Sequence, residues 1–90
     1  MERTWAEYEA EALYRLTRQG ALNRHQFVRR MRALEEASPV AACYVFWLLL
    51  RRQPSSAERE HHWGVLCGKL RAALEREGGA LGEVSLFPRP

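Results

Sequence analysis

Three histidines and two cysteines are the residues of this chain richest in possible chemistry, and their spacing argues against a metal centre. His61 and His62 are adjacent, Cys67 follows them, and His25 and Cys43 stand elsewhere. A zinc site wants ligands on one face at recurrent spacings such as CxxC or HExxH. Adjacent residues on a helix point about 100° apart, so the histidine pair cannot easily face one ion. Both read as exposed side chains in the first turns of a helix. The cysteines lie in apolar helical surroundings and read as small buried hydrophobes with reduced thiols, not as a disulfide.

Catalytic patterns are missing as well. The sequence has no Asp, no GxSxG, no phosphate-binding loop and no glycine fingerprint, and Glu58 and Glu60 beside the histidines make a solvated turn. A bundle of 90 residues also offers little room for a pocket that buries a substrate. The expectation is a protein that is not an enzyme, with no metal, no cofactor and no small-molecule substrate.

Binding chemistry remains. Net charge is only +3, but residues 15–52 carry eight Arg against two Glu, while residues 1–14 carry one Arg against four Glu. Arg24, Arg29, Arg30, Arg32, Arg51 and Arg52 are therefore candidate contacts for an acidic partner. The thirteen Arg to one Lys, with no Ile, also match the residue usage of a GC-rich genome, so the clustering carries more weight than the total. A nucleic-acid reader needs a helix with an exposed face of base-reading side chains. In a helix-turn-helix the third helix has no such face, so only the second could serve, and its outward His25, Arg29 and Arg32 lack the Asn, Gln, Ser and Thr that read bases beside Arg. Backbone contact with nucleic acid stays as the alternative, and a protein partner is favoured.

Two further features point the same way. Gly64, Gly68 and Ala72 recur every four residues on one helix face. Glycine inside a helix costs about 1 kcal/mol relative to Ala, so another backbone is expected close by. It belongs either to the apolar third helix of the same chain or to a second copy. Tyr14 points away from the apolar stripe of its helix and joins the candidate contacts.

The elements that position these residues are helices. Val40 to Leu50 is apolar on every side. A helix of that kind must be buried on more than one side, yet about 16 Å is too short to cross a bilayer. Thr4 and Glu7 have the spacing of a capping box opening a first helix that stops at Gly20, with Trp5, Tyr8, Ala12, Leu13 and Leu16 as its buried stripe. Glu9 falls inside that stripe, so either it has a cationic partner from the second or third helix or the stripe is shallow there and Glu9 reaches solvent. Asn23 caps a second helix with Phe27, Val28, Met31 and Leu34 on its inner face, and Ser38-Pro39 starts the third. Ser55 and Glu58 read as another capping box, opening a fourth helix with Trp63, Leu66, Cys67, Leu70 and Leu74 inward.

Residues 13–34, through Leu13-Tyr14-Arg15-Leu16, Gly20-Ala21-Leu22-Asn23 and Gln26-Phe27 to Leu34, resemble the short helical hairpins of SHOCT-type oligomerisation segments. That resemblance implies a hairpin and self-association. The expected architecture is all-α: a compact bundle of four helices with short loops over residues 1–79, and an extended tail over 80–90. Acidic residues where a signal peptide would be apolar point to the cytoplasm, with no membrane partner. The expected function is a small binding protein that regulates, inhibits or scaffolds a larger complex, or pairs with itself as a homodimer.

Overall fold

Eleven consecutive apolar residues place their helix at the middle of the molecule, with Ala42, Cys43, Val45, Leu48 and Leu50 buried and Tyr44 left exposed. The computed structural model describes residues 4–76 and Arg89. Four helices follow in order: α1 (Trp5–Arg18), α2 (Arg24–Ala37), α3 (Pro39–Leu50) and α4 (Ala57–Arg76). The expected tail falls outside the described residues.

Local chemistry sets the boundaries. Thr4 accepts a hydrogen bond from the Glu7 amide at 3.2 Å. Gly20, at φ +69°, ends α1. Its amide donates to the Thr17 carbonyl at 3.1 Å and the Ala21 amide to that of Leu16 at 3.0 Å, a Schellman closure. Asn23 and Gln26 form a complete capping box, with bonds of 2.8 and 2.9 Å. Ser38 caps α3, with Pro39 in its first turn. The cap of α4 is Ser56, one residue later than the sequence reading, and it accepts from the Arg59 amide at 3.2 Å. Arg59 meanwhile donates to the Gln53 carbonyl at 3.0 Å and closes the preceding turn.

α3 is the hub. One flank, with Cys43 and Leu50 at its centre, packs on Leu66, Leu70 and Leu74 of α4. The other, with Ala42 and Val45, packs on Ala10 and Leu13 of α1 and Leu34 of α2. Among the described residues α1, α2 and α3 touch one another, whereas α4 touches α3 alone. The all-round apolar helix is thus buried by two separate cores.

The stripe expected on α1 is rotated. Ala6, Ala10 and Leu13 face inward, while Trp5 and Tyr8 are 55% and 58% exposed. Tyr8 lies about 140° from Leu13 round the helix, so one side cannot bury both. Small side chains at 6 and 10 form the inner face instead. Glu9 does have its cation: Arg30 grips it through Nε at 3.1 Å and a terminal nitrogen at 2.5 Å. The hydrogen bond to Glu9 raises the Arg30 pKa above its ordinary value, against the opposing effect of desolvation.

Candidate partner-binding surface

The helical hairpins bring the end of α1, the start of α2 and the end of α3 to one end of the molecule. Arg15 and Arg18 lie in the last turn of α1, Arg24 opens α2, and Arg51 and Arg52 follow α3. All five are exposed, and none pairs with a carboxylate among the described residues. The cations nearest the C-termini of α1 and α3 also complement the negative ends of those helix dipoles.

Aromatic rings hold two of the guanidinium groups. Arg51 stands 4.8 Å over the Trp47 ring, and Trp47 stacks on Tyr44 at 6.1 Å. Arg18 stands 5.6 Å over Tyr14. Such contacts are worth about 0.5–1 kcal/mol at exposed sites, enough to orient a long side chain. Tyr14, Tyr44 and Arg51 border an open groove of about 630 Å³ between α1 and α3, with Glu7 and Glu11 on the α1 wall. Tyr44, Trp47 and Arg51 recur at the i, i+3, i+7 spacing of one helix face, which an apolar run with no polar residue to mark its outer side does not reveal.

The other expected contacts are scattered. Arg29 and Arg32 are exposed along α2, where Arg29 meets His25 at 3.1 Å. Arg30 is committed to Glu9 and leaves the surface cluster, because a part-buried carboxylate claims it. Gly64, Gly68 and Ala72 face solvent, and a Cβ on either glycine would meet nothing within 4 Å. The apolar third helix therefore does not lie against that face. α4 turns Leu66, Leu70 and Leu74 toward it instead.

His61 and His62 have ring centroids 5.8 Å apart, and the His62 edge meets Phe46. No group of three or more potential ligands among the described residues could hold a metal ion. Neither described cysteine is in a disulfide. No helix is long and apolar enough to cross a membrane among the described residues.

A cleft of about 310 Å³ opens between α2 and α4 above α3. It had no sequence signature, because it exists only where two helices share a neighbour without touching each other.

No family model matches the chain, nor does any curated protein or solved structure. The hairpin that resembles SHOCT-type segments is present as α1, turn and α2, and no family match extends that likeness.

Proposed function

We propose that this chain is a small non-enzymatic binding protein that regulates, inhibits or scaffolds a larger complex, docking an acidic protein on its arginine end. The observation that carries the reading is the convergence of Arg15, Arg18, Arg24, Arg51 and Arg52 beside Tyr14, Tyr44 and Trp47. Arginine, tyrosine and tryptophan are the residue types that most often dominate interface energetics. Arginines that no described carboxylate pairs leave their charge available to steer an acidic surface into register. The mechanism is occlusion or bridging of the partner.

Nucleic acid is the second reading, favoured by Arg24, Arg29 and Arg32 continuing the positive surface along α2. Both readings weaken as salt rises, the nucleic-acid one more steeply because each neutralised phosphate releases counterions, and nuclease treatment separates them directly. The test is capture from the native host with nuclease-treated and untreated samples, comparing the wild type with an Arg24→Glu, Arg52→Glu variant. A protein retained after nuclease treatment by the wild type and lost by the variant is the expected result. Equal capture by both, or capture that vanishes with nuclease, overturns the docking proposal.

A further inference from the structure

The cleft between α2 and α4 lies away from the arginine–aromatic surface and has a different chemistry. Its floor is Ala42, Cys43 and Phe46 of α3, and Met31 of α2 and Val65 and Leu66 of α4 form apolar walls. A volume of about 310 Å³ is near the lower end for small-molecule sites. One rim carries a row of nitrogen bases. His62, Lys69 and Arg76 all border the cleft and are seven residues apart, about 10 Å for each two-turn step along α4.

The opposite rim offers Glu35, which also borders a neighbouring hollow with Arg32, Glu36 and Arg76. Glu35 and Arg76 thus border the same end of the cleft, with no ion pair between them among the described residues. Lys69, midway along, is exposed and has no carboxylate partner among the described residues. An apolar trough whose middle carries an ammonium unpaired by any described carboxylate, with the Arg76 guanidinium farther along the same rim, complements an apolar chain that carries a single negative head.

We infer that this cleft binds a single-chain anionic amphiphile, its chain along Ala42, Cys43 and Phe46 and its head at the Lys69 ammonium. The site is independent of the arginine end, and either reading can fail without the other. Carboxylate and phosphate heads share the required chemistry. The size of the cleft favours such a ligand over the face of a partner helix.

The test is a titration of the whole chain with decanoate, decyl phosphate, decanol and decyltrimethylammonium, each below its micelle concentration, followed by backbone amide NMR. Saturable shifts are expected at Ala42, Cys43, Phe46, Val65 and Leu66, with both anions binding about tenfold more tightly than decanol or the cationic amphiphile. Lys69→Glu, a change at an exposed position, should abolish that preference and leave the melting temperature unchanged. Lys69→Arg should retain it. Whichever head binds more tightly identifies the source of the anion. Equal binding of the cationic amphiphile, shifts centred on Trp5, Tyr8 or Tyr44, or no saturation overturns the inference. So does tighter binding of an acidic amphipathic helical peptide at the same amides, which would make the cleft a protein-docking groove.

Discussion

At the scale of single residues, the Glu9–Arg30 pair shows how a local oddity in sequence becomes a tertiary contact. Glu9 interrupts the inner side of α1, and its side chain is only 13% exposed, with that of Arg30 at 31%. Two parallel hydrogen bonds to one guanidinium satisfy the carboxylate and set the relation of α1 to α2. Removing one partner of such a pair costs more than the pair contributes net, because the other is left desolvated. Arg30→Ala should therefore lower stability by about 1–3 kcal/mol in urea denaturation. Replacing both partners together, as Glu9→Leu with Arg30→Met, should cost less than Arg30→Ala alone. If the double change costs as much as the two single changes summed, the residues act independently and the pairing contributes nothing.

At the scale of elements, glycine has opposite meanings at different positions. Gly20 ends α1 with a positive φ, where an L side chain costs roughly 1–2 kcal/mol, so Gly20→Ala should destabilise by about that much. Gly64 and Gly68 sit inside α4 with open space where a Cβ would be. Gly64→Ala and Gly68→Ala should each stabilise the monomer by up to about 1 kcal/mol through helix propensity. Thermal unfolding of the three single variants checks both signs. Gly68→Leu adds a decisive readout: an assembly that dissociates to a folded monomer places this face at a subunit interface, and unchanged size and stability make it plain surface.

At the scale of the whole molecule, the uneven attachment of the helices decides which part opens first. α1, α2 and α3 share contacts in a closed set, whereas α4 rests on α3 through one core. Local opening free energies follow the number of buried contacts an element must break. The most protected amides of α4, around Leu66 and Leu70, should exchange with solvent more readily than those around Leu34 and Val45. Hydrogen exchange under native conditions tests this, and equal protection across the two cores would show a single cooperative unit. The same arrangement separates two surfaces. The arginine end is built from α1, α2 and the end of α3, while the amphiphile cleft needs α4 in place. Loosening α4 should impair the second surface before the first.

Helix positions were legible in the sequence because caps, stops and propensity act over about four residues. Thr4, Gly20, Asn23 and Ser38-Pro39 each carry their geometry with them, and the absence of a polar face from Val40 to Leu50 requires a central α3. Even there the reading slipped where two serines competed, and Ser56 took the cap expected of Ser55. The choice of helix face was not legible, because it depends on which side chains another helix presents. Trp5 and Tyr8 are larger than Ala6 and Ala10, yet the small residues face α2 and α3 while the aromatics lie outside. Gly64 and Gly68 imply a close neighbour by composition, and only the tertiary packing of Leu66, Leu70 and Leu74 on α3 shows that the other described helices supply none. The arginine cluster was visible as a count, but the geometry divided it, giving Arg30 to Glu9 and gathering Arg15, Arg18, Arg24, Arg51 and Arg52 at one end. Local hydrogen bonding thus determined the elements, and competition for volume around one apolar helix decided their faces, their surfaces and their clefts.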